Sequence, residues 1–504
     1  MSEFPWITVL IAVPVLTAIA LWVLPVLHKH ARAIGLTVSL VVLAVAVIMA
    51  ASFDIADASS HQFTELAAWI PQIGVSYAVG LNGLGLVMVL LATALVPIVI
   101  AADWNAVPDD GDLSDRRQAT FVSLVLMLAG LMVAVFAARD LFLFYVVFEV
   151  MLLPVYFLIG MFGGTNRRQA AVKFLVYSLA GGLVMLLGVV VTYLNGPRGE
   201  QGFLLDNLAG SITDPTLQMW LFVAFFVAFA VKAPMWPVHT WLPDATAAAT
   251  PGTSTLLVGV LDKVGTFGMI ALCLPLFPQA AADAAGVIVV LALISILYGA
   301  LVAMGQQDLM RFTAFTSVSH FGFIVLGIFI GSEVAMTGAM FYMLAHGLSI
   351  AGMFLLAGFL AERGGSRRID AYGGWQRVTP VLAGLFLVSG LASVALPGLS
   401  GFVGEYLVLM GSFQVSIPAA VVATLAVVLA ALYFLLVYQR VFTGPPPPDR
   451  VAEVSSGGLR DLLARERWAL IPIVAAMLVL GFVPGPVLDV LTPISQVLVM
   501  GGAQ

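Results

Sequence analysis

The sequence predicts an all-α, polytopic membrane protein of about fourteen transmembrane helices, arranged as two inverted five-helix repeats that contain broken helices. Three observations carry this prediction. Of 504 residues, 61% are hydrophobic and only 10% charged, against about 25% charged in a soluble domain. Apolar runs of 18 or more residues recur along the chain, and the mean hydropathy is +1.08. With the N-terminus placed outside, sixteen of the 21 Lys and Arg residues fall in inward loops. Only Arg139 and Arg198 fall outside, and Lys173, Lys232 and Lys263 stay within spans. A missed or extra helix would scramble that bias, so both termini are expected to face outward.

The spans fall near 4–27, 32–52, 81–101, 118–138, 140–161, 169–194, 217–237, 253–275, 284–304, 310–331, 334–360, 379–414, 417–443 and 467–488. The first run, 5–27, has no basic stretch before it and reads as a retained span, not a cleaved signal. The run 379–414 is too long for one straight crossing and carries LPGLSG in its middle. The segment 444–467, with four prolines, reads as a stiff inward linker followed by a charged, amphipathic stretch at the membrane surface. The expected organisation is 1–117 for three N-terminal helices, 118–275 for the first repeat, 284–443 for the second, and 444–504 for the linker and last helix. No soluble domain is expected.

Composition also excludes function classes. The single cysteine, Cys273, rules out disulfides, cysteine-ligated iron–sulfur clusters and CxxC metal sites on this chain. The net charge of −6 is spread over loops, with no basic stripe for nucleic acid. No glycine-rich nucleotide fingerprint follows a strand.

The stretch around 220–263 is the chain's organising feature. An apolar helix ends at Lys232, prolines 234, 237 and 243 punctuate a polar elbow, and an apolar helix resumes with Lys263 inside it. The run 379–414 is broken in the same manner beside Glu405, 173 residues after Lys232, and His320 follows Glu149 by 171 residues. Five helices separate the members of each pair, and an odd number inverts orientation. Interrupted apolar segments at matching places in inverted halves point to an ion path, because carbonyls freed by proline are tolerated at that depth only along a polar cavity.

An ionisable side chain at the bilayer centre costs roughly 2.5–3.5 kcal/mol on insertion scales and is read as functional. Three of the four lysines lie in spans although loops use seventeen arginines. Lysine can surrender its proton where arginine cannot. Lys173, one turn past Arg168, is expected to snorkel to the surface. Glu149 is expected to partner Lys232 as a switch, holding its proton when close and releasing it when the pair opens. His320 and His346, with Ser317, Ser319 and Ser349 nearby, suit relay positions, although a buried histidine also serves as an ordinary core group. Glu405, beside a helix break, suits a terminal donor or acceptor. His239 and Asp244 in the elbow would either start an inward access path or cap it. Asp262 would either face that path or compensate charge.

The strings FYVVFEVMLLPVYFLIG, KAPMWPVHTWLPDA, LLVGVLDKVGTFG, QDLMRFTAFTSVSHFGF, FYMLAHGLSIAGMFL and LPGLSGFVGEYLVL resemble the antiporter-like subunits of proton-pumping NADH:quinone oxidoreductase, respiratory complex I. Within that family the likeness is to the M-type branch. The chain lacks the long lateral helix of L-type subunits, and Glu405 stands where L-type, N-type and Mrp-type subunits carry lysine. The resemblance implies fourteen helices, one proton channel and an axis of Glu149, Lys232, Lys263, His320 or His346, and Glu405. It also implies L-type and N-type neighbours in a bacterial inner membrane, with NADH, FMN, Fe–S clusters and quinone on partner subunits and none on this chain. Two departures concern the inward access path. Thr246, after Ala245, stands where the family often has a histidine, and Asp262 replaces the usual apolar residue before the lysine. The expected function is proton translocation driven by quinone reduction elsewhere. The alternatives are an Mrp-type Na+/H+ antiporter subunit and a scaffold with a vestigial channel.

Overall fold

A computed structural model describes residues 4–105, 107, 112–447 and 460–501. Helices α1 (Trp6–Val23) and α2 (Ala31–Ala51) are followed by an antiparallel hairpin of β1 (Gln62–Ile70) and β2 (Val75–Leu81). This hairpin adds a small sheet to the expected all-α reading; its strands are short and lie between spans, so hydropathy does not reveal them. Glu65 on β1 accepts the Ile7 N–H at 2.7 Å and the Thr8 N–H at 3.2 Å, supplying the acceptor that the first turn of α1 lacks.

The chain continues through α3 (Gly83–Ala102), α4 (Asp112–Ala137), α5 (Leu141–Val150), α6 (Leu152–Phe162), α7 (Arg167–Asn195), the short α8 (Leu205–Leu208) and α9 (Pro215–Lys232). After the elbow come α10 (Leu242–Ala248), α11 (Pro251–Leu256), α12 (Lys263–Gly268) and α13 (Leu274–Leu276). Two π-turns, Leu257–Leu261 and Met269–Cys273, join the last three into one crossing. Then follow α14 (Pro278–Met304), α15 (Leu309–Phe329), α16 (Glu333–Gly364), α17 (Pro380–Ser393), α18 (Ser400–Val415), α19 (Ile417–Phe442), α20 (Ala464–Phe482) and α21 (Gly485–Gly501).

Among the described residues, twelve helices are long and apolar enough to cross a membrane, or thirteen if α20 and α21 form one bent span. The chain is therefore a multi-pass membrane protein. The run 379–414 is broken as expected, into α17 and α18 across residues 394–399. The last span stops at Phe482 and turns by 69° into α21, because Pro484 denies the helix a donor. That final helix is absent from the expected spans. Arg450 and most of the expected surface stretch, residues 448–459, lie outside the described residues. Beyond them, Asp461 accepts the Val381 N–H at 2.7 Å and the Leu382 N–H at 3.1 Å, capping α17.

Burial is uneven. Helices α15 and α16 are enclosed on all sides, as is nearly all of the α11–α13 crossing, whereas α1, α2, α7 and α14 turn apolar faces outward, where lipid can cover them. Close packing at the centre depends on missing side chains. A Cβ on Gly347 of α16 would lie 2.9 Å from the Gly259 carbonyl, and one on Gly299 of α14 would lie 2.5 Å from Ser319 N of α15. Lys232, Lys263, His320, His346 and Glu405 are buried in or against this enclosed centre, whereas Glu149 on α5 is only half-buried.

Candidate functional site

Glu149 lies one residue before the end of α5, where the helix is interrupted at Met151 before α6 begins. It is half-buried, and its Oε1 has no hydrogen-bond partner. Gly182 of α7 provides its space, because a Cβ there would overlap the carboxylate. Lys232 ends α9 and is wholly buried. Its ammonium stands 5.5 Å from the Phe148 ring centre and 5.2 Å from that of Phe174, and makes no hydrogen bond. No direct ion pair joins it to Glu149.

The elbow after Lys232 is held by specific bonds. The buried Trp241 indole donates to the Val231 carbonyl at 2.9 Å, occupying an acceptor left at the C-terminus of α9. His239 is buried between Tyr298 and Phe315, with neither ring nitrogen bonded. Asp244 accepts from Lys173 at 2.6 Å and from Arg311 at 2.5 Å. Burial would raise the Asp244 carboxyl, but these two donors outweigh it and hold it below the ordinary carboxylate range. Lys173 thus reaches the open loop end of the helices, as expected, and finds there an acid on the elbow as its partner.

At the start of α11, Asp103 accepts from Thr250 Oγ1 at 2.5 Å and from Gly252 N at 3.1 Å, placing a carboxyl at the positive end of that half-helix. Burial pushes Asp103 up to about 6 despite those bonds. Asp103, Lys173, Asp244, Arg311, Glu362 and Arg367 line one open cavity of about 900 Å³ at the loop end of these helices.

Lys263 meets different surroundings. In the π-turn before it, the Asp262 N–H goes to the Leu257 carbonyl at 2.9 Å and not to Val258 as in an α-helix. The Val258 carbonyl instead accepts the Lys263 ammonium at 2.6 Å. The same Nζ lies 2.8 Å from His346 Nδ1, and His346 Nε2 lies 3.3 Å from Ser317 Oγ. The His320 ring centre is 5.2 Å from that of His346 and 6.0 Å from that of Tyr342, with both its nitrogens unbonded. Tyr342 donates to Glu405 Oε2 at 3.0 Å. Glu405 is buried on α18, and Gly404 beside it admits Tyr342, since a Cβ there would fall 2.6 Å from the tyrosine Cβ.

Buried protonatable groups thus lie at Lys232, Lys263, His320, His346 and Glu405, with the half-buried Glu149 at one end. Ionisable groups enclosed at this depth are costly to keep there.

The comparisons with known proteins identify the family and the fold. Residues 138–430 match the membrane family described as NADH:quinone oxidoreductase/Mrp antiporter. The chain is 44% identical to NADH-quinone oxidoreductase subunit M of Mycobacterium tuberculosis, over 98% of this chain and 94% of that protein. It is 37% identical to the subunit M of Rhodobacter capsulatus over 93% and 90% of the two chains. The chain belongs to the subunit M family of NADH-quinone oxidoreductases. Its fold matches a chain of respiratory complex I from Thermus thermophilus, with a TM-score of 0.87 and 31% identity over 98% of this chain and 99% of that one. It also matches a chain of the Mrp complex from Dietzia, with a TM-score of 0.86, 23% identity and coverage of 99% and 98%, a likeness of fold alone.

Within this subunit M fold, the residues of the sequence-expected axis fall into two groups. Lys263, His320, His346 and Glu405 form one contacting set, which Tyr342 completes, while Glu149 and Lys232 make no direct bond to each other. Tyr342 escaped the sequence reading. Its signal was its position four residues before His346, which puts both on one helix face. The Lys173–Asp244–Arg311 cluster joins three helices and left no sequence signal.

Proposed function

We propose that this chain is the proton-translocating membrane subunit of an NADH-quinone oxidoreductase, passing protons along Glu149, Lys232, Lys263, His320, His346 and Glu405. The observation that carries the reading is the enclosed run of these groups through the centre of a subunit M fold. Protons enter from the cavity at the elbow, past Asp244 and His239. Glu149 gates Lys232, Lys263 passes charge to His346, and Glu405 releases it or hands charge to a neighbour. Moving one charge against 100 mV costs about 2.3 kcal/mol, which quinone reduction elsewhere must supply. NADH, FMN, the Fe–S clusters and quinone belong to partner subunits in this reading. The neighbours are L-type and N-type subunits in a bacterial inner membrane, with both termini outward and residues 118–275 and 284–443 as inverted halves.

Glu149→Gln and Lys232→Met in the assembled enzyme, reconstituted in liposomes, test this directly. NADH oxidation should no longer build a full pH gradient. Undiminished pumping by both variants would leave the chain a scaffold. A pumping rate that requires sodium would favour the Mrp-type reading.

A further inference from the structure

We propose that Asp262 is a proton carrier seated between Lys232 and Lys263, so that a proton leaving one lysine reaches the other through this carboxyl. The inference rests on the proton-translocating reading and adds a member that lies off the sequence-expected axis.

Packing sets the direction of the side chain. Helix α12 meets the end of α9 through glycines: a Cβ on Gly265 would lie 2.5 Å from both Ala233 N and Phe229 O, and one on Gly268 would strike the Phe229 ring. Asp262 precedes Gly265 by three residues and shares its face, which is turned to the α9 terminus that bears Lys232. Lys263 is rotated by about 100° and faces α16, where it meets His346 at 2.8 Å. One helix therefore shows an acid to the first lysine and a base to the second set.

Asp262 is wholly buried, and neither carboxyl oxygen has a hydrogen-bond partner. A buried carboxyl left this way is costly unless charge compensates it. The face it shares with Gly265 turns it to the α9 terminus that bears Lys232, and it directly precedes Lys263 in the chain. A residue serving only to neutralise a cation would be expected to bond it. Unbonded oxygens between two ammonium groups leave the carboxyl free to take a proton from either.

The step balances in two parts. The Lys232 ammonium gives a proton to the Asp262 carboxylate, leaving an amine and a carboxylic acid. The acid then protonates the Lys263 amine, restoring the carboxylate and an ammonium. No charge is created, and the positive charge has moved from α9 to α12.

The test uses the assembled enzyme in liposomes with Asp262→Asn, Asp262→Glu and Lys232→Met. Asp262→Asn should lower pumping about tenfold or more. Asp262→Glu should restore most of it with a shifted pH profile. Infrared difference spectra during turnover should show a protonated-carboxyl band that Asp262→Asn lacks. Wild-type pumping in Asp262→Asn, with pumping lost in Lys232→Met, would overturn this inference and leave the parent reading intact. Equal loss in both Asp262 variants with the band unchanged would make the residue structural and also overturn it. If Asp262→Asn does not assemble, the Asp262→Glu pH profile decides: a shift supports the carrier and no shift overturns it. Full pumping in Lys232→Met would instead remove the parent reading.

Discussion

Lys232 and Lys263 stand on adjoining helices, equally enclosed, under opposite conditions. Lys263 has a carbonyl and an imidazole within hydrogen-bond distance, whereas Lys232 has two aromatic faces and no bond at all. The difference originates in the backbone. A π-turn frees the Val258 carbonyl beside Lys263, while at the end of α9 the Val231 carbonyl is bonded by Trp241 and the Lys232 ammonium has no partner. A lysine so bonded is anchored. One without bonds responds to whatever charge approaches it. On the proposed path the second region would hold charge and the first would switch it.

The comparison predicts unlike consequences for like substitutions. Lys232→Met should cut proton pumping about a hundredfold or more while lowering the thermal stability of the purified enzyme less than Lys263→Met does, since no hydrogen bond is lost. A larger fall in stability than that of Lys263→Met would break the contrast. Lys263→Met should also stop pumping but destabilise the chain by about 1–3 kcal/mol, because Val258 and His346 lose a buried partner. Equal stability of the two variants in detergent melting would erase the distinction between the lysines.

Smaller effects sharpen it. Tyr342→Phe removes one hydrogen bond to Glu405 and should cost about 1 kcal/mol, with pumping slowed several-fold and assembly intact. Asp103→Asn acts at the first turn of the half-helix that leads to Lys263. Burial raises the Asp103 carboxyl to about 6, so its contribution to stability is full below the ordinary carboxylate value near ~4 and is lost as pH rises through about 6. The variant should flatten that part of the pH–stability curve, with maximal pumping changed less than about twofold.

Much of this was legible in the chain. Lysine, glutamate and histidine inside apolar runs announce themselves because each is expensive there, and the prolines at 234, 237 and 397 mark both helix breaks. What stayed hidden depends on contacts between distant segments. Lys173 read as a surface lysine because Arg168 is its neighbour in sequence, while Asp244 is its neighbour in space. Asp262 could not be assigned a face, because the π-turn before it shifts the angular count that an ordinary helix would keep. The β1–β2 hairpin carries too little hydrophobic contrast to stand out among long apolar spans, and α21 follows a proline that reads as an ending.

The glycine contact between Gly259 and Gly347 sets a limit on how the machine can work. Two backbones pressed together with nothing but hydrogen between them are closely packed. A short stroke, made of swinging side chains and entering water, suits such a frame. Its tempo would be that of wetting and drying, not of helices in motion.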